Sequence, residues 1–123
     1  MSIYKGDNMT IRDVMELLEA KCLVGEDHLD RIVETACGSD MMSDVLAYTK
    51  NNGVLLSGLC NPQVIRTAEM MDIVCIVMIR GKHATEEMID LAKEGDIVLL
   101  ETGHRMFTSC GLLYSKGLTG GDM

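Results

Sequence analysis

The segment that decides the fold is an unbroken apolar run, Ile73-Val74-Cys75-Ile76-Val77-Met78-Ile79. A short continuous run rich in β-branched residues is typical of a strand that is buried on both faces of a parallel sheet. The run is far too short for a membrane-spanning helix, which needs about 20 apolar residues. We therefore expect a central buried strand over residues 73–79.

Helices are predicted on both sides of this strand. Asn61 can cap a helix in which Pro62 takes the first position, where its missing N–H costs nothing. Thr85 can cap the helix that follows the strand. Apolar residues at helical spacing then face inward in these two helices: Val64, Ile65, Ala68 and Met71 in the first, and Met88, Ile89 and Ala92 in the second.

Two further strands are predicted in this half of the chain, at Val54–Ser57 and Ile97–Leu100. Strands that alternate with helices form a parallel sheet with right-handed crossovers. The expected fold is therefore α/β, with three layers, helix–sheet–helix, and a mostly parallel sheet. A last helix is predicted from Arg105 to Ser115, and Phe107, Cys110 and Tyr114 are expected to be its buried residues.

The first third of the chain fits this alternation less well. Thr10 is a good N-cap for a helix over residues 11–20, and residues 21–25 and 31–36 resemble two short strands that could form a sheet edge. The next helix has a predicted inner face of Met42, Val45, Leu46 and Thr49, and Asn51-Asn52-Gly53 is expected to end it. We expect one domain over residues 10–118, with flexible ends at residues 1–9 and 119–123.

Composition and charge limit the partners. The chain has 123 residues and a formal net charge of −8, and its basic residues are scattered. Nucleic-acid binding relies on clustered Lys and Arg, so no nucleic-acid partner is expected, and the acidic surface also disfavours an anionic membrane. Residues 1–10 lack the apolar core of a signal peptide, which leaves the cytoplasm as the expected location. The five cysteines contain no CxxC pair, which disfavours a disulfide framework.

A candidate site lies at one edge of the predicted sheet. Ligands of open parallel sheets bind outside the carboxyl ends of the strands, and helix N-termini at this edge attract anions. Four segments that contain glycine are expected there: residues 37–40, 57–61, 80–83 and 101–105. The candidate ligand-binding residues are Gly38, Ser39, Asp40, Ser57, Gly58, Asn61, Arg80, Gly81, Lys82, Thr102, His104 and Arg105. The alternative is that all four segments are ordinary strand-to-helix turns, which need glycine and capping residues in any case.

Common catalytic motifs are missing from the sequence. It contains no GxxxxGK[ST] phosphate loop, no GxSxG nucleophile elbow, no HExxH, and no Cys/His cluster with zinc spacing. We therefore predict no catalytic residues, no metal and no cofactor. The remaining catalytic hypothesis is a reactive-thiol protein built on Cys37, Cys60 and His104, because a thiol at a helix N-terminus can be activated.

Three stretches carry a resemblance to a known family: residues 53–69, residues 79–82 and residues 106–114. Together they resemble the DRTGG domain in its short stand-alone form, over roughly Met9 to Leu118. The name-giving motif itself is altered, because Ser57-Gly58-Leu59 stands where the family has Thr-Gly-Gly. If the family's glycines admit a ligand to the backbone, Leu59 puts that ligand in doubt.

The resemblance implies a fold similar to the N-terminal domain of HPr kinase/phosphorylase, without that enzyme's P-loop kinase domain. Related domains attached to phosphotransacetylases or beside CBS domains in pyrophosphatases look like regulatory or oligomerising modules. Two hypotheses follow: a regulatory module that senses a nucleotide or another small anion, or a homodimeric assembly domain accessory to a redox or metabolic enzyme. For the second, exposed Met41, Met42, Met70 or Met106 could supply an adaptable surface.

Overall fold

The computed structural model describes residues 9–48 and 52–120. The predictions for Thr49 and Asn51, and those for the chain ends at residues 1–8 and 121–123, lie outside the described residues. No helix within the described ranges is long and apolar enough to cross a bilayer.

The described chain alternates strands and helices from its second third onward, as expected. The strands are β1 (Met9–Thr10), β2 (Lys21–Val24), β3 (Ile32–Val33), β4 (Thr35–Gly38), β5 (Gly53–Ser57), β6 (Ile73–Met78) and β7 (Val98–Glu101). The α-helices are α1 (Ile11–Leu17), α2 (Met42–Tyr48), α3 (Gln63–Met70), α4 (Glu86–Glu94) and α5 (Met106–Ser115), and a 3₁₀ turn covers Glu26–His28.

Five strands form the main sheet in the order β2-β7-β6-β5-β4. Strands β4 to β7 pair in parallel, and β2 pairs with β7 in the antiparallel direction at one edge. Strands β1 and β3 form a separate antiparallel pair. The prediction of an α/β fold with a mostly parallel sheet is therefore confirmed.

Helices cover both faces of this sheet. One core cluster joins α1 and α5 to the sheet through residues such as Val14, Leu113 and Val77. A second cluster joins α2, α3 and α4 to the opposite face through residues such as Ile65 and Met88. From Cys75 to Met78, successive residues of β6 alternate between the two clusters because side chains in a strand point to opposite faces. This confirms the three-layer architecture.

The strand predicted over residues 31–36 is wrong in its extent. Val33 pairs with Met9 of β1, whereas residues 35–38 pair with β5 in the main sheet. The switch between the two sheets occurs at Glu34, whose backbone N–H donates to the carbonyl of Asn52. The helix predicted to reach Ala20 ends at Leu17 instead, since Glu19 adopts a left-handed conformation (φ 52°) that turns the chain into β2.

The buried face predicted for α5 is also wrong. Phe107 is 91% exposed and Tyr114 is 65% exposed, while Cys110 is half-buried. Ser109 and Leu113 form the buried face instead. Because α5 carries no charged residue and its apolar residues are spread around the helix, its periodicity does not tell which face meets the sheet.

The methionines predicted to be exposed divide into two groups. Met41 is 61% exposed and Met70 is 72% exposed, as expected. Met42 is buried, as predicted for the inner face of its helix, and Met106 is half-buried, so neither supplies the exposed surface considered for a homodimer. Met42 begins α2 and packs in the second core cluster, and Met106 packs against the first.

Candidate functional site

Asp40 connects three of the four loops at the carboxyl edge of the sheet. Its Oδ1 accepts a hydrogen bond from the backbone N–H of Gly58 at 2.7 Å and from the Ser57 hydroxyl at 3.2 Å. Its Oδ2 lies 3.5 Å from Nη2 of Arg80. The parallel register of β4, β5 and β6 produces this convergence, because their carboxyl ends meet at one edge.

Gly58 leaves room for the Arg80 side chain. A Cβ built at Gly58 would lie 2.1 Å from Nη2 of Arg80, so the guanidinium rests directly on the glycine backbone. The hydroxyl of Ser57 also accepts from the N–H of Leu59, which fixes the start of this loop. The Leu59 side chain is half-buried and packs against the second core cluster.

The Arg80-Gly81 turn is held by the β7 loop. Arg80 and Gly81 both have positive φ angles, of 60° and 69°. Their N–H groups donate to the carbonyls of His104 (2.7 Å) and Thr102 (3.0 Å). These two N–H groups therefore already have acceptors within the protein. The turn can bind a ligand only through its charged side chains.

Thr102 and His104 connect the β7 loop to the end of α1. The buried Thr102 hydroxyl donates to the carbonyl of Leu18 at 2.6 Å and accepts from the N–H of His104. Nε2 of His104 lies 3.2 Å from Oε1 of Glu19. Both side chains therefore have partners on the α1 side, away from the Asp40 carboxylate.

Ser39, Asn61 and Gly38 have local roles. The Ser39 hydroxyl accepts from the N–H of Met41, and Oδ1 of Asn61 accepts from the N–H of Gln63. These are turn and capping bonds. Helix α3 begins at Gln63, one residue later than predicted. A Cβ at Gly38 would lie 2.8 Å from Sγ of Cys110, so this glycine permits the close packing of α5.

Two of the three predicted cations are available for an anion. Lys82 and Arg105 are exposed, and neither forms an ion pair with any residue between 9 and 48 or between 52 and 120. Arg80 is half-exposed beside Asp40. The edge therefore presents one cation with a carboxylate partner and two without, on a chain of net charge −8.

Glu101 has a role that the sequence did not indicate. Its side chain is largely buried at the end of β7, and Oε2 accepts from the N–H of Ala84 at 2.9 Å. Its Oε1 lies 3.3 Å from Nδ1 of His83. Glu101 thereby fixes the loop that carries Lys82 next to the loop that carries Arg105. The sequence feature that points to this role is a carboxylate placed directly at the end of a buried strand.

The residues of the reactive-thiol hypothesis have separate partners. His104 faces Glu19, while the exposed Cys60 lies with its Sγ 3.8 Å from the carbonyl of Gly58. The half-buried Cys37 lies near Cys110, and the pKa of the Cys110 thiol is raised by burial and secondarily by Cys37. Among the described residues, no three His, Cys, Asp or Glu side chains are grouped so that they could hold a metal ion.

The cysteines are expected to differ sharply in reactivity towards a maleimide at neutral pH. The thiolate is the reacting species. Burial raises the pKa of Cys75 and, together with Glu26, that of Cys22, and burial also raises the pKa of Cys110. We expect Cys60 to be labelled first and Cys75 only after unfolding, as followed by mass spectrometry of peptides. Labelling of Cys75 in the folded protein as fast as Cys60 would contradict the placement of these thiols.

A cavity of about 410 Å³ lies at the opposite, amino-terminal edge of the sheet. Its charged lining residues are Arg31, Glu69, Asp72 and Asp96. Arg31 already donates to the backbone carbonyl of Asp96. The carboxyl ends of α3 and α4 also face this edge and disfavour an anion. The larger hollow is thus chemically less suited to a nucleotide than the loops around Arg80.

Comparison with known proteins supports the fold. No protein-family model and no curated protein sequence matches the chain. The chain is similar to the crystal structure of the CBS and DRTGG domains of the regulatory region of a Clostridium perfringens pyrophosphatase, complexed with the activator diadenosine tetraphosphate. The TM-score is 0.69 at 16% identity, and the match covers 84% of this chain and 45% of that chain. The chain thus spans less than half of that structure's length, and the likeness agrees with a DRTGG-like fold.

Proposed function

We propose that this protein is a non-catalytic regulatory module that binds an anionic nucleotide or a similar phosphorylated ligand at the carboxyl edge of its sheet. The supporting observation is that Arg80, Lys82 and Arg105 all stand on loops at this one edge, which Asp40 and Glu101 fix in place. Clustered cations on an acidic protein create a local field that favours phosphate. The structural neighbour, a regulatory region complexed with a dinucleotide, points in the same direction.

The site is arranged for binding. The positions that could hold phosphate are side-chain cations, and the nearby polar side chains of Ser57 and Thr102 already have hydrogen-bond partners within the protein. We propose no catalytic residue: the Ser57 hydroxyl donates to Asp40, but Ser57 is fully buried and its hydroxyl also accepts from the N–H of Leu59, so a substrate does not reach it. The proposed setting is the cytoplasm, where the module would control a partner enzyme of redox or other metabolism.

Thermal unfolding with a panel of ligands tests this proposal. ATP, AMP, diadenosine tetraphosphate and inorganic pyrophosphate separate the contribution of the base from that of the phosphates. A ligand present at about 100 times its Kd stabilises the folded state by about 2.7 kcal/mol, which is readily measured as a rise in Tm. If none of the four raises the Tm, and native mass spectrometry of protein purified gently from its own cells shows no added mass, the proposal is wrong.

Two substitutions of Asp40 separate its structural role from its effect on charge. Asp40→Ala removes the acceptor that joins its own loop to the loops of Ser57 and Arg80, and should lower the free energy of unfolding by about 1–3 kcal/mol. Asp40→Asn keeps an acceptor for Gly58 but releases Arg80, so it should strengthen ATP binding by about 3- to 10-fold. Urea unfolding and isothermal titration calorimetry measure the two effects. Weaker ATP binding by Asp40→Asn, with the fold intact, would show that the carboxylate contacts the ligand.

A second candidate function is assembly of a homodimer, which could act beside a partner enzyme with no small ligand. Its supporting observation is the exposure of Phe107 and Tyr114 on an apolar helix. Large exposed apolar side chains that cluster on one face mark interaction surfaces in soluble proteins. The exposed Met41 lies in the loop before α2 and Met70 at the end of α3, so both are outside this face and add less support. The two functions are compatible, because a dimer can also bind a ligand.

A further inference from the structure

Helix α5 presents an apolar face that the folded chain leaves uncovered. Phe107, Gly111 and Tyr114 are exposed and lie at helical spacing along this face. A Cβ built at Gly111 meets no atom within 4 Å, so the middle of the face is open to the approach of another element. Ser109 and Leu113 occupy the opposite, buried side. Two large aromatic side chains exposed on one strip of a helix that carries no charge are typical of an interaction surface, so this face calls for a partner.

The charge distribution identifies the partner as a second copy of the chain. Each of α1 to α4 carries at least one acidic residue, whereas Met106–Ser115 contains no Asp, Glu, Lys or Arg. A two-fold axis brings identical surfaces together, and like charges facing each other cost several kcal/mol. On a chain of net charge −8, α5 is therefore the helix whose own ten residues bring no like charges against a second copy.

The shape of the face is also self-complementary. Phe107 projects near the start of α5, and Tyr114 lies seven residues later, about 10 Å along the axis. Beside Tyr114, a small hollow of about 90 Å³ opens between α5, β4 and the segment at Leu118, with Ala36, Leu56 and Leu113 in its lining. A projecting aromatic ring at one end and a largely apolar hollow at the other match when two copies run antiparallel.

We infer that two copies of this chain dimerise through antiparallel α5 helices that cross near Gly111, with Phe107 of each subunit seated beside Tyr114 of the other. This inference rests on the second candidate function and specifies its interface. Stable interfaces bury about 800 Å² on each partner, so the hollow and the neighbouring Leu118 segment must contribute area together with the helix.

Sedimentation equilibrium of the full chain and two matched variants tests this interface. Phe107→Glu places a charge in the proposed contact, and Met70→Glu places the same charge on the exposed surface of α3, on the other side of the sheet. We expect a wild-type dimer whose Kd rises about 100-fold or more in Phe107→Glu, since each dimer loses two buried aromatic side chains. Met70→Glu should leave the Kd unchanged.

A second measurement tests the antiparallel arrangement without depending on a charged variant. In a Cys60→Ser background, a mixture of Phe107→Cys and Tyr114→Cys chains should be joined by a short bis-maleimide faster than either variant alone. Circular dichroism checks that each variant folds, which the exposure of both positions favours. A wild-type monomer at all concentrations would overturn the homodimer and its interface together. A dimer insensitive to Phe107→Glu would overturn the α5 interface alone, and neither result bears on ligand binding.

Discussion

Replacing Lys82 and Arg105 together by Glu should weaken ATP binding about 100-fold. Both side chains are exposed at the carboxyl edge, and neither has an ion-pair partner in the described part of the chain. Reversal of a charge replaces an attraction for the ligand's phosphates by a repulsion. For the two positions together, after solvent screening, this amounts to about 3 kcal/mol, or about 100-fold in Kd. Isothermal titration calorimetry measures the change directly.

The matched control for this prediction is the pair Arg12→Glu and Lys93→Glu. It changes the net charge by the same amount but lies away from the four loops, with Arg12 beside Asp30 and Lys93 in the last turn of α4. The control should change Kd only modestly, because exposed charges separated by more than about 10 Å are largely screened at 0.1 M salt. Equal losses in the two double variants would mean that net charge, rather than this edge, attracts the ligand.

Gly25→Ala should lower the free energy of unfolding by about 2–5 kcal/mol. Gly25 follows β2 with a φ of 92°, a left-handed conformation that costs other residues about 1–2 kcal/mol. A Cβ there would also lie 2.8 Å from Cγ2 and 3.1 Å from Cα of Val98, in the buried strand β7. Overpacking of this kind typically costs about 1–3 kcal/mol more. Urea unfolding followed by circular dichroism measures the sum.

Two other glycines serve as controls that separate the backbone cost from the overpacking cost in Gly25→Ala. Gly81 has a φ of 69° but open space where a Cβ would lie, so Gly81→Ala should show the backbone cost alone. Gly103 has open space and no positive φ, so Gly103→Ala should leave stability nearly unchanged. If Gly25→Ala proves no more destabilising than Gly81→Ala, the backbone at Gly25 does not pack tightly against Val98.

The sequence predicts most accurately the part of the chain in which consecutive strands and helices all indicate the same fold. The apolar run at Ile73, the N-cap at Thr85 and the glycine-bearing turns are local signals that all favour a parallel sheet, and β5, β6 and β7 form as expected. The edge elements escape this reasoning. β2 pairs with β7 in the antiparallel direction. This pairing is a tertiary contact, and no local signal in residues 21–25 reveals its partner or its direction.

In the candidate site too, the strand topology can be predicted from the sequence, whereas the directions of the side chains cannot. Parallel strand order alone is enough to predict that Asp40, Ser57 and Arg80 come to one edge, and in the structure they are in contact. The directions of Thr102 and His104 depend on tertiary contacts with the end of α1, which is distant in sequence. Sequence spacing therefore locates the loops, and packing decides which of their side chains remain available.

A titration of ¹⁵N-labelled protein with ATP, followed by NMR, tests the proposed ligand site most directly. We expect the largest amide shift changes at Gly58, Gly81, Lys82, His104 and Arg105, and little change at Asp72 and Asp96 at the opposite edge. We also expect these changes to disappear in the Lys82→Glu, Arg105→Glu variant. Saturable shift changes centred on the amino-terminal cavity, or none anywhere at high ATP concentration, would contradict the proposed site.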